Sequence, residues 1–147
     1  MDVKSQFEAA AIARGYKFLY GNRASINYGM KLKGILADEY MLIMYPCKGR
    51  ALLEDGIWSR YEFTTVLELC KKSEAVGTRA SLSETDEDKY TNRLQAMADE
   101  ARDFMWYLFG CNAKTMELKS FDFLEMINQY SEGADSIQIS ITFELWE

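Results

Sequence analysis

The sequence predicts an α+β fold, with a mostly antiparallel sheet covered by one long helix and an N-terminal helix. Three observations predict it. The order of elements reads α, irregular, β, β, α, β, β, so strands and helices do not alternate regularly. Leu94, Met97, Ala98, Ala101, Met105 and Leu108 form one apolar stripe at helical spacing between the two strand groups. Near the C-terminal end, Ile137, Ile139, Ile141, Phe143 and Leu145 alternate with Gln138, Ser140, Thr142 and Glu144. That is a strand with one dry face and one wet face.

Residues 2–14, DVKSQFEAAAIAR, read as a helix, because Val3, Phe7, Ala10 and Ala11 lie three or four apart and Gly15 is a natural stop. Residues 16–34, YKFLYGNRASINYGMKLKG, carry three glycines, three tyrosines and two asparagines. They read as extended pieces joined by turns. EYMLIMYP, residues 39–46, is a continuous apolar run that suits a central strand with both faces covered. Pro46 ends it, having no N–H to give. CKGRALLEDGIWSR, residues 47–60, reads as a loop with turn signals at Gly49 and at Asp55-Gly56. YEFTTVLELCKKS, residues 61–73, is a long strand with Tyr61, Phe63, Thr65, Leu67 and Leu69 on one face. It is expected to pair with the strand in the 40s as an antiparallel hairpin.

EAVGTRASLSETDED is a polar, acidic loop leading into a long helix over residues 86–109. Thr85 is the expected N-cap, with Asp86, Glu87 and Asp88 in the first turn, where the helix dipole favours negative charge. Phe104, Trp106, Tyr107 and Phe109 thicken the other end toward the core, and Gly110 suits the stop. MELKSFDFLEMINQY then puts Phe121, Phe123, Glu125 and Ile127 on one strand face and Leu124 and Met126 on the other. A turn at residues 131–135 joins it to the alternating strand as a second antiparallel hairpin.

At 147 residues, with 48% hydrophobic and 14% aromatic residues, the chain suits one domain, 1–147, with a packed core. It has no apolar run long enough for a membrane helix, and the N-terminus does not read as a signal peptide. Cys47, Cys70 and Cys111 are odd in number and far apart, as expected of reduced thiols in a protein made in a cytosol. Histidine is absent, which removes the commonest general base and the usual zinc ligand. An enzyme is therefore not expected. The acidic cluster Glu84, Asp86, Glu87 and Asp88 lacks the loop pattern of a calcium site and reads as a helix N-terminus, so no metal is expected. The glycine spacings match no nucleotide loop, and no cofactor is expected. Glu62 and Glu68 share a strand face, but a catalytic pair also needs a cleft.

Net charge is −6, unevenly spread: residues 1–50 carry eight Lys/Arg and four Asp/Glu, and the remainder carry nine and nineteen. Such polarity can orient subunits head to tail. Lys17, Arg23, Lys31 and Lys33, interleaved with Tyr16, Tyr20 and Tyr28, read either as a nucleic-acid surface or, the preferred reading, as a basic, aromatic contact arm over residues 16–34. Its expected interface residues are Tyr20, Arg23, Tyr28 and Lys31. Trp58 and Arg60 in the 47–60 loop, and Trp146 on the polar strand face, complete the expected interface set.

The segments EYMLIMYP, YEFTTVLELCKKS, TNRLQAMADEARDFMWYLFG and FDFLEMINQYSEGADSIQISITFELWE, in this order, resemble the tail terminator and tail completion proteins of tailed bacteriophages. The resemblance covers most of residues 36–147, by layout; Tyr16–Gly34 departs from it. It implies a virion protein, made in the host cytoplasm, whose copies form a ring, usually hexameric. The ring would contact neck or tail-tube proteins, with DNA only passing through its lumen, and no catalytic residues are implied. The alternative is a small α+β ligand-binding protein or enzyme, with a pocket between helix and sheet holding groups such as Glu125 or Tyr130. A third reading is a host-directed binding module.

Overall fold

The computed structural model describes residues 2–22, 26, 39–72, 93–112, 115–126 and 134–146. Its elements are α1 (Val3–Ala13), β1 (Lys17–Tyr20), β2 (Tyr40–Met44), β3 (Lys48–Glu54), β4 (Ile57–Lys72), α2 (Gln95–Trp106), β5 (Met116–Met126) and β6 (Ala134–Trp146). Six strands form one sheet in the order β1-β2-β4-β6-β5, with β3 also on β4. The β1–β2 pairing is parallel and every other pairing is antiparallel. The fold is α+β with a mostly antiparallel sheet, as the sequence predicts.

Helix α1 starts at Asp2, whose carboxylate accepts the Ser5 N–H at 3.1 Å. It stops at Gly15, whose φ of 77° lies in the left-handed region. There the Gly15 N–H donates to the Ile12 carbonyl and the Tyr16 N–H to the Ala11 carbonyl. The four apolar residues expected to face inward, Val3, Phe7, Ala10 and Ala11, are the buried ones. Strand β2 is covered on both faces: Leu42 and Met44 join the main core, Met41 and Ile43 the smaller cluster behind the sheet. It pairs antiparallel with β4, Met44 opposite Leu67, as expected.

Three elements differ from the sequence reading. Residues 48–54, expected as loop, form β3, and Asp55-Gly56 makes the two-residue turn into β4. Both turn residues have positive φ, 51° and 78°, which matches the twist of a tight hairpin. Gly49 is not a turn residue. The Phe63 ring lies over it, and a Cβ there would stand 2.6 Å from the ring. The regular helix is shorter than 86–109 within the described residues: Gln95–Trp106, continued by a wide π turn over Tyr107–Asn112 that contains Gly110. Thr85 and the acidic first turn lie outside the described residues. The expected arm also begins inside the sheet. Tyr16, Phe18 and Leu19 are buried, and Lys17–Tyr20 pairs with β2.

The main core lies between the two helices and one sheet face. Phe143 sits at its centre, with Phe7, Phe63 and Phe109 each 5.6 Å away between ring centroids. All five dry-face residues of β6 are buried, as their alternation predicts. The smaller cluster packs Leu19, Ile26, Met41, Ile43, Cys70 and Ala134 on the other face.

Candidate interaction surfaces

The described part of the molecule has two open apolar surfaces, at opposite margins of the sheet. The first is the tip of the β3–β4 hairpin. Strand β6 pairs with β4 only from Arg60 onward, so among the described residues Ile57–Ser59 has a neighbouring strand on the β3 side alone. A two-stranded ribbon has no second layer against which to bury its side chains. Leu53, Ile57 and Trp58 are therefore 60%, 71% and 70% exposed. The expectation that Trp58 faces outward holds.

Arg60 anchors this hairpin to the sheet. One guanidinium nitrogen donates to Glu54 at 2.9 Å and another to Glu144 at 3.1 Å. Glu144 is buried, with Lys119 also 3.4 Å from it. Trp146 stands opposite Arg60 in the β4–β6 register and is half-buried, its N–H donating to the Thr115 carbonyl. Arg60 and Trp146 thus come together, and Trp58 is two residues away on β4. Tyr20, 44% exposed, ends β1, two strands from β4 and beyond the level of the hairpin. Arg23, Tyr28 and Lys31 lie outside the described residues.

The second surface is a groove between α2 and β5. It encloses about 630 Å³ and is lined by Met105, Trp106, Phe109, Met116, Leu118 and Phe121, with Arg102, Asp103 and Glu117 at its rim. Sequence reading places Trp106 in the core; it is 69% exposed. The buried stripe runs Leu94, Met97, Ala101, Phe104, Met105 and Leu108. Trp106, one residue on from Met105, turns about 100° away from it toward β5. Phe121 and Phe123 stand opposite the buried Ile141 and Ile139 on the helix-bearing face. Their rings meet edge to face at 4.9 Å, and both remain more than a third exposed. α2 leaves them uncovered because β5 is the edge strand. Spacing alone could have placed these two rings together, but only topology makes them an open surface.

The interior between helices and sheet is filled by the aromatic cluster, so the groove is marginal rather than central. Glu125 faces a separate shallow depression with Gln95, Ala98, Asp99 and Arg102, and Tyr130 lies outside the described residues. Glu62 and Glu68 do not form a carboxylate pair. Six residues on one strand separate them by roughly 20 Å. Glu62 pairs with Arg50 at 2.7 Å, and Glu68 is buried beneath Tyr45, whose hydroxyl donates to it at 3.1 Å.

Two other polar groups are structural. The Tyr16 hydroxyl and the Arg14 guanidinium both donate to Glu100, tying α1 to α2. Burial works against the Glu100 carboxylate, but these hydrogen bonds outweigh it and hold its pKa below the usual value. On the helix-bearing face, just before α2, Arg93 forms a buried ion pair with Asp135 of β6 at 3.5 Å. Cys70 is a free, buried thiol whose pKa burial pushes well up, and Cys47 is free and half-buried. Among the described residues no group of three or more His, Cys, Asp or Glu could hold a metal ion, and no helix is long and apolar enough to cross a membrane. Comparison with protein-family models and with curated proteins returns no match.

Proposed function

We propose that this chain is a structural virion protein of a tailed phage, assembling as a ring at the head–tail neck or the end of the tail tube. One observation carries the assembly part: two separate exposed apolar surfaces, Leu53/Ile57/Trp58 and Trp106/Phe121/Phe123, at opposite margins of one sheet. Exposed aromatic patches of this kind mark contact surfaces. Two different patches on one chain suit head-to-tail contacts, which close into rings when the rotation closes. The resemblance of the strand and helix segments supplies the phage context and the neighbouring neck or tail-tube proteins as partners. The ring carries out no catalysis.

Light scattering coupled to size exclusion, across protein concentration and salt, tests the reading. A discrete mass of several subunits supports it. A single-chain mass at every condition, with neck and tail-tube proteins present, refutes it. A second reading, a small-molecule binder, draws on the apolar groove, whose volume is that of a ligand site. Saturable binding of an apolar fluorescent probe that Trp106→Ala abolishes, in a chain that stays monomeric, would favour it instead.

A further inference from the structure

We propose that the copies join edge to edge: the outer edge of β3 in one copy adds antiparallel to the outer edge of β5 in the next. The tip of the first copy's hairpin then fills the second copy's α2–β5 groove. This names the contact within the self-assembly reading above and rests on that part of it, not on the phage context.

Four features converge on this pairing. The first is position. Residues 60–64 of β4 pair with β6 on one side and β3 on the other, so at this end of the sheet β3 and β5 are the two opposite edges. Both edges carry backbone groups with no further described strand beside them, the template that another strand completes. The second is direction. β3 is antiparallel to β4, β4 to β6 and β6 to β5, so β3 and β5 run in opposite senses. A copy placed alongside without inversion therefore meets its neighbour in an antiparallel ladder.

The third feature is the face. Ala51 pairs with Tyr61, which packs on the main core, and Leu53 lies two residues further along β3 on that same face. The register sets Trp58 opposite Leu53. Phe121 and Phe123 occupy the same, helix-bearing face of β5. Within one copy Leu52 is level with Arg60 and Trp146, and Phe121 with Ile141 and Thr65, so a neighbour shifted along the strand axis by about six residues, roughly 20 Å, brings Leu53 and Trp58 level with Phe121, beside Phe123 and Trp106, the two exposed apolar surfaces covering each other. The fourth is charge. β3 carries Lys48 and Arg50 against Glu54, a net +1, whereas β5 carries Glu117, Asp122 and Glu125 against Lys119, a net −2. Opposite signs favour β3 on β5, and like signs disfavour β5 on β5. A second copy is the occupant because its own opposite edge supplies the matching sense, face and charge.

The test uses two full-length variants, each blocked at one surface. Trp58→Glu puts a carboxylate on the tip that meets acidic β5. Phe123→Lys puts an ammonium into the apolar contact with Leu53 and Trp58. Circular dichroism and thermal melting verify folding, and Arg50→Glu replaces Trp58→Glu if that variant does not fold. Sedimentation velocity then reads mass, under conditions where the wild type assembles. The expected result is loss of assembly for each variant alone, and a complex that stops at two chains when the variants are mixed. One good tip meets one good groove, and the other ends are blocked. A mixture that remains monomeric, or a variant that assembles as the wild type does, overturns the edge pairing. If the wild type still forms a ring, the self-assembly reading survives that outcome. A wild type that stays monomeric with neck and tail-tube proteins present overturns both.

Discussion

The centre of the sheet and its two margins are built from similar strands but end in opposite states. In the centre, β2, β6 and the second half of β4 have neighbours on both sides and helices above, and their apolar residues are buried. At the margins, β3 and β5 have a described strand beside them on one side only. Leu53, Trp58, Phe121 and Phe123 keep much of their surface in water. The difference does not lie in hydrophobicity, for Phe143 and Phe123 are the same residue type on similar alternating strands. It lies in whether a second layer reaches the strand. Centre and margin should therefore answer differently to the same chemical change.

The sharpest break is Phe143→Ala. Phe143 touches three other aromatic rings, and its removal leaves a cavity that the surrounding helices and sheet cannot fully close. The expected loss is about 3–5 kcal/mol, read from urea denaturation. Gly49→Val should cost less, about 1–3 kcal/mol by the same measurement, because the new side chain drives into the Phe63 ring and disturbs its stack on Phe143. A Gly49→Val chain as stable as the wild type would show that Phe63 moves aside freely and that the hairpin is not tied to the core.

Glu100 sharpens the comparison through pH. Its folded pKa lies below the ordinary 4.5, so the unfolded chain takes up the proton first as pH falls. The contribution is fully present above that ordinary value and is lost as pH drops through the folded pKa. Melting temperatures of the wild type should decline in acid more steeply than those of Glu100→Gln. Equal slopes would remove Glu100 from the account of how α1 holds α2. The smallest expected effect is at the margins. Trp58→Ala and Phe123→Ala should shift the stability of the isolated chain by no more than about 0.5 kcal/mol. A large loss at either site would mean that these rings already bury themselves within one chain.

How much of this was legible in the sequence follows the same division. The alternation of β6, the apolar run of β2 and the spacing of α1 are local signals, and each element appears where its residues put it. β3 was hidden because Lys48-Gly49-Arg50 carries little β-propensity, although Asp55-Gly56 already had the chemistry of a hairpin turn. Trp58 read correctly as exposed, since its glycine-bounded setting is local. The openness of Phe121 and Phe123 was not readable, because it depends on β5 lying at the edge, a matter of how distant strands order themselves. Trp106 reads inward with the other aromatic residues that thicken the helix end, and the sequence does not show how far the helix flank reaches past β5.

β4 runs unbroken from the hairpin turn at Ile57 to Lys72, and β6 grips it from Arg60 to that end. A pull on the hairpin tip along the strand axis would load that whole ladder in shear, many hydrogen bonds resisting at once. A sideways pull on β3 would instead peel one rung at a time. The sheet is thus stiff along one direction and easily unzipped across it, and a chain joined through its hairpin would hold tension only when it is pulled along β4.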